Sequence, residues 1–113
     1  MDCIFCRIIK GEIPSDKVYE DEYLYAFRDI DAKAPVHVLV VPKTHIGSVN
    51  GLDEENAHLA AKAFLAMKEI AAKEGISESG YRIVVNTNKD AQQSVAHIHF
   101  HMLGGRSLTW PPG

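Results

Sequence analysis

Residues 97–103 read His-Ile-His-Phe-His-Met-Leu, so three of the chain's six histidines alternate with Ile98, Phe100 and Met102. Strict alternation of polar and apolar residues is the pattern of a strand with one face buried, because successive side chains leave a pleated backbone on opposite sides. The spacing predicts a strand that presents Ile98, Phe100 and Met102 to a core, and His97, His99 and His101 to the opposite face. At a rise of about 3.3 Å per residue the Cα atoms of His97 and His101 lie ~13 Å apart, too far for all three rings to reach one metal without a severe bend. Three readings fit the row: a track along an extended substrate, a two-histidine metal site, and an exposed face without chemistry. In the first, a neutral imidazole acts as nucleophile or base, and a protonated neighbour donates to a phosphoryl oxygen or a leaving group. Gly104 and Gly105 allow a sharp turn at the strand end, and Gln93 and Ser94 in the preceding polar loop add donors, which makes phosphate the natural ligand.

The remaining pattern supplies what such a strand would pack against. Residues 53–74 predict the long helix: Leu59, Ala60, Ala63, Phe64, Met67, Ile70 and Ala71 share one face, Asp53, Glu54 and Glu55 suit its N-terminus, and Gly75 its C-terminal cap. His58 falls on its solvated side. A short helix is expected over 3–10, with Asp2 as N-cap and Gly11 and Pro14 marking its exit. "KVYEDEYLYAFRDI" predicts a hairpin turning at Glu20-Asp21-Glu22 and ending near Asp29. "HVLVVPK", residues 37–43, reads as a strand buried on both faces, and 81–86 as another strand. The order implies a single α+β domain over residues 1–113 with a mostly antiparallel sheet.

Charge and composition narrow the function. A net charge of −3 without a run of Lys and Arg argues against a nucleic-acid surface, while leaving room for one small phosphorylated ligand. No apolar run approaches the ~20 residues of a bilayer span. The opening "MDCIFCRIIKGEIP" is too polar and interrupted for a secretory signal, so the cytoplasm is the expected compartment. Cys3 and Cys6 close too small a loop for a structural disulfide, and their spacing is that of half a zinc site. Reduced buried thiols and a redox pair are the other two readings.

"QSVAHIHFHMLGG" resembles the signature of the histidine triad (HIT) nucleotide hydrolases and transferases, and "IFCRIIKGEIP", "AFRDI", "APVHVLVVPKTHI", "GYRIVVN" and "WPPG" fall in family order. The tail is similar to that of the Hint branch. The resemblance implies a HIT-like fold, a five-stranded sheet with one long and one short helix, extended across a homodimer. It implies a purine nucleoside phosphoramidase that cleaves the P–N bond of adenosine 5'-phosphoramidate-type substrates. By position, His99 matches the nucleophile that forms a nucleotidyl-histidine, His101 the residue serving phosphate and leaving group, and Ser94 and Gln93 the loop that holds phosphoryl oxygens. His37 matches a buried histidine supporting the nucleophile side. Asp29 matches the carboxylate on the ribose hydroxyls, with Ile30 beside it, and Asn86 a residue near ribose and phosphate. Ile4, Phe5, Ile8, Ile13 and Phe27 match the walls around the base, and Trp110 a tail that reaches the partner's site. Cys3, Cys6, His45 and His97 match the structural zinc ligands of some bacterial-type members; no catalytic metal is implied. Ala91-Gln92 stands where the animal Hint pattern has two glycines, and Thr109 where a histidine is common. A purine nucleotide-binding sensor or scaffold with little turnover is the reading from another class.

Overall fold

The computed structural model describes residues 2–113. The elements run α1 (Ile4–Ile9), β1 (Lys17–Glu20), β2 (Leu24–Arg28), β3 (Val36–Pro42), α2 (His58–Lys73), β4 (Tyr81–Val85) and β5 (Phe100–Gly104). The five strands form one antiparallel sheet in the spatial order β1-β2-β3-β5-β4. This is the α+β arrangement expected, with one long and one short helix. Among the described residues no helix is long and apolar enough to cross a membrane.

The central strands are buried on both faces, which accounts for their unbroken apolar runs. Leu24 and Ala26 of β2, Val38 and Val40 of β3, and Phe100 and Met102 of β5 meet Leu59, Ala63, Met67 and Ile70 of α2. On the opposite face Tyr25, Phe27, Leu39 and Val41 pack with Phe5 and Ile8 of α1. The short helix thus covers only the β2-β3 half of that face. Beyond it, His37 at the start of β3, His101 of β5 and Asn86 just after β4 border an open cleft.

Several boundaries differ from the sequence pattern, each for a local reason. The long helix begins at His58, because residues 53–57 form a separately tied turn: Asp53 Oδ1 accepts from the amides of Glu55 and Asn56, while Asn56 Oδ1 accepts from Asp53 N–H. Its first bonds, Leu59 N–H to Asn56 O and Ala60 N–H to Ala57 O, have the tighter three-residue reach. At the other end Gly75, at φ +74°, ends the helix in a Schellman turn with Ile76 N–H on Ala71 O. Phe64 is half exposed rather than core, touching Phe100 only at the rim of the interface. The N-cap of α1 is Cys3, whose sulfur accepts from Cys6 N–H, and not Asp2.

The histidine segment departs most. Ile98, Phe100 and Met102 are buried as expected, but His97 and His99 are buried with them, so burial alternates only within β5, and strand pairing starts only at Phe100. Ile98 N–H donates instead to Ile46 O on the loop after β3, at 2.6 Å, and residues 95–97 bend. His97 and His99 therefore precede β5, and only His101 lies on it.

Candidate active site

The bend sends the three histidines to separate tasks. His101 stands opposite Leu39 of β3 while His37 stands opposite Leu103, so His37 and His101 are diagonal neighbours on one sheet face. Their rings meet at 3.0 Å, His37 Nε2 to His101 Nδ1. His99, buried, packs between Phe5 of α1 and His101, with ring centroids 5.0 Å from each. His97, fully buried, points away toward the N-terminus.

Backbone partners then decide where each proton sits. His99 Nδ1 is 2.8 Å from the carbonyl oxygen of His97, which can only accept, so Nδ1 carries the hydrogen and Nε2 keeps a free lone pair. Lys33 N–H donates to His37 Nδ1 at 3.0 Å. His37 must then carry its hydrogen on Nε2 and present it to His101 Nδ1, which leaves His101 with N–H at Nε2. The result is one imidazole with an unprotonated nitrogen beside another with a hydrogen to donate, the pair that nucleophilic displacement with a leaving-group donor requires. Burial, and then the neighbouring His99 and His37, push His101 down to about 4, which keeps it neutral in the free protein. Burial likewise lowers His37, against the opposing pull of Asp29.

Asp29 follows β2 directly. Its Oδ1 accepts from Asp31 N–H at 2.9 Å in an Asx turn, and its Oδ2 lies 3.4 Å from His37 Nε2. With Lys33, His37, Asn86, Ser94 and His101 it lines the cleft. Ser94 is exposed there, its hydroxyl available. Gln93 is committed inward: Nε2 donates to Gly47 O and Val95 O, while Oε1 accepts from Asn88 N–H, so its side chain braces the loop that carries Ser94. Phe5, Ile8 and Phe27 are buried under α1 with Ile13 packed on their edge, whereas Ile4 is half exposed and Ile30 fully exposed. Trp110 is 80% exposed, with its ring 5.8 Å from the Arg82 guanidinium, and is not among the cleft's lining residues. The pattern of residues did not reveal Lys33, whose contribution is a backbone N–H that any residue type supplies. Asp31, two residues after Asp29 in "DIDAKAP", was the legible sign of a tight turn there.

A second cluster gathers Cys3, Cys6, His45 and His97, whose ligand atoms all lie within 4.8 Å of one another. Tetrahedral bonds of about 2.3 Å to sulfur and 2.0–2.1 Å to nitrogen place neighbouring ligand atoms ~3.3–3.8 Å apart. Here Cys3 Sγ to His97 Nδ1 is 3.5 Å, Cys6 Sγ to His45 Nδ1 3.4 Å, Cys6 Sγ to His97 Nδ1 3.6 Å, and the two Nδ1 atoms 3.1 Å apart. His97 Nε2 donates to Pro42 O at 2.8 Å, which frees Nδ1 as a lone pair and supplies the outer hydrogen bond that metal-binding histidines characteristically make. The donor set fits a tetrahedral metal ion.

A sheet face that orders imidazole tautomers beside a carboxylate, next to a thiol and imidazole cluster spaced for a metal ion, is suited to histidine-based catalysis. The chain belongs to the HIT family, whose domain model matches residues 10–108. It is 46% identical over 107 residues to the purine nucleoside phosphoramidase of Escherichia coli strain K12, covering 95% of this chain and 90% of that one. It is 48% identical over 112 residues to a 14 kDa zinc-binding protein of Zea mays, covering 97% and 87% of the two chains. The crystal structure of a HIT family hydrolase from Legionella pneumophila superposes with a TM-score of 0.97 at 48% identity, over 99% of this chain and 100% of that one.

Proposed function

We propose that the protein hydrolyses the P–N bond of purine nucleoside 5'-phosphoramidates through a nucleotidyl-histidine. The observation that carries this reading is the His99 Nδ1–H to His97 carbonyl bond, which leaves Nε2 unprotonated. Nε2 attacks the α-phosphorus, the P–N bond breaks, and its electron pair leaves with the amine, which departs readily only when protonated. That proton enters with the substrate: a phosphoryl anion beside His101 favours the imidazolium form that burial otherwise opposes. Asp29 Oδ2 is the acceptor to which the His37 hydrogen turns as His101 fills its own Nδ1. Water then attacks phosphorus, His101 takes its proton, and the nucleoside monophosphate is released from His99. Ser94 holds a phosphoryl oxygen on a loop braced by Gln93, Asn86 and Asp29 face the ribose, and Phe5, Ile8, Ile13 and Phe27, with Ile4 and Ile30 at the rim, form the base side. The Escherichia coli relative's activity supports the substrate class.

Zinc is the metal this reading places on Cys3, Cys6, His45 and His97, in a structural role, supported by the zinc-binding relative from Zea mays. It also carries a cytoplasmic homodimer in which the exposed Trp110 meets a second copy. The test is hydrolysis of adenosine 5'-phosphoramidate by wild type and His99→Ala, with and without a brief chelator treatment. Turnover that survives chelation and falls by at least about 10³-fold in the variant, with nucleoside monophosphate still bound, is the expected result. Full turnover in His99→Ala would sink the reading. Bound nucleotide without turnover in wild type would favour a nucleotide-binding module.

A further inference from the structure

The tautomer order of the site depends on a backbone group, Lys33 N–H, that sits in an exposed turn between β2 and β3. Such a group directs a proton reliably only if the turn itself is fixed. Lys33 is held at both of its main-chain groups: N–H on His37 Nδ1 at 3.0 Å, and C=O by Arg106 Nη2 at 2.8 Å. Arg106 reaches it from just beyond β5, with Nη1 anchored on Ser107 O at 3.0 Å. The approach is close along its length. A Cβ on the preceding Gly105 would lie 2.9 Å from Pro35 Cβ, so the two turns are packed against each other there.

We infer that Arg106 is a positioning residue for catalysis, clamping the Lys33 turn so that His37 keeps its hydrogen on Nε2 and His101 its donor on the cleft side. Arg106 touches neither histidine and lines no part of the cleft. Its effect passes through one carbonyl, one amide and two ring nitrogens. Without the clamp, the Lys33 amide drifts from His37 Nδ1 and His37 becomes free to hold its hydrogen on either nitrogen. Wherever Nδ1 is protonated, His37 Nε2 accepts from His101 Nδ1–H and neutral His101 turns a lone pair to the cleft, so the proton taken up with the substrate has to enter at Nε2, the side the phosphoryl group itself covers. The guanidinium suits the task because it carries a fixed charge and a planar fork, one arm for Lys33 O and the other for Ser107 O.

The kinetic consequence rests on the phosphoramidase reading, whereas the tautomer consequence does not. Two measurements separate them. Nitrogen-15 NMR of the histidine side chains reads the His37 tautomer directly in wild type, Arg106→Ala and Arg106→Lys at neutral pH. Wild type is expected to show His37 with Nδ1 unprotonated and Nε2 protonated, Arg106→Ala a mixture of both forms, and Arg106→Lys, which retains a donor for Lys33 O, the wild-type pattern. With adenosine 5'-phosphoramidate, Arg106→Ala is expected to lower kcat about three- to tenfold, the effect of one lost hydrogen bond of ordinary net strength, with KM nearly unchanged and Arg106→Lys restoring most of the loss. An unaltered His37 tautomer in Arg106→Ala overturns the inference, as does a change confined to KM. Absence of turnover in wild type would instead overturn the phosphoramidase reading and leave the tautomer experiment to judge the clamp.

Discussion

Burial makes His101 a source of acid sensitivity. Its value in the unfolded chain is near the ordinary 6.5, and in the fold it is held at about 4 by burial and by His99 and His37. Between those values the unfolded chain binds a proton that the folded one refuses, so stability is full above pH ~6.5 and declines as pH falls toward ~4. The loss attributable to this residue is on the order of 3 kcal/mol at most, and His37, also lowered by burial, adds in the same direction. Urea unfolding at pH 7.5 and pH 5 should show a smaller pH-dependent loss in His101→Asn than in wild type; an equal loss would place the sensitivity elsewhere. At this scale the sequence was informative about which side chains matter and silent about their partners. The alternation of His97, His99 and His101 flags imidazole chemistry, but the acceptors that order them, His97 O and Pro42 O, and the donor Lys33 N–H, are backbone groups common to every residue.

Elements followed the periodicity where burial enforces it and departed where local hydrogen bonds compete. The hairpin, the doubly buried β3 and the Schellman end at Gly75 were legible because each depends on residue type: aromatic and β-branched runs, unbroken apolarity, and a left-handed cap. The start of the long helix was not, because the Asp53 and Asn56 side chains close their own turn ahead of it. The histidine row was legible as an alternation but not as three destinations, since the bend depends on Ile98 N–H finding Ile46 O, 52 positions earlier in the chain. Gly105 marks where β5 turns toward the Lys33 loop. At φ +90° and with Pro35 in its path, it tolerates no side chain without strain. Gly105→Ala is therefore expected to cost about 1–3 kcal/mol in chemical unfolding. A neutral substitution would show that the two turns are free to separate.

On the scale of the whole molecule, the thiol and imidazole cluster fastens three parts of the chain: the N-terminal helix through Cys3 and Cys6, the loop after β3 through His45, and the histidine segment through His97. A six-residue helix has little stability of its own, so α1 stays on the sheet through Phe5 and Ile8 and through those two sulfurs. One residue of that cluster, His97, offers its carbonyl to His99, and the same helix offers Phe5 to the His99 ring. A metal ion held there would accordingly stabilise the fold and the surroundings of His99, the nucleophile proposed above, together. Binding requires thiolates, and burial with the neighbouring Cys3 raises the Cys6 thiol, so uptake releases protons and weakens as pH falls. Prolonged removal of the metal by a chelator at neutral pH should lower Tm by roughly 10–20 °C, as expected for the loss of a few kcal/mol from a domain of this size, with full recovery on adding zinc. Cys6→Ser should start at the lower Tm and respond to neither treatment. If wild type purified with zinc shows no chelator-dependent change in Tm, the cluster is a set of packed thiols and imidazoles, and the helix is held by Phe5 and Ile8 alone.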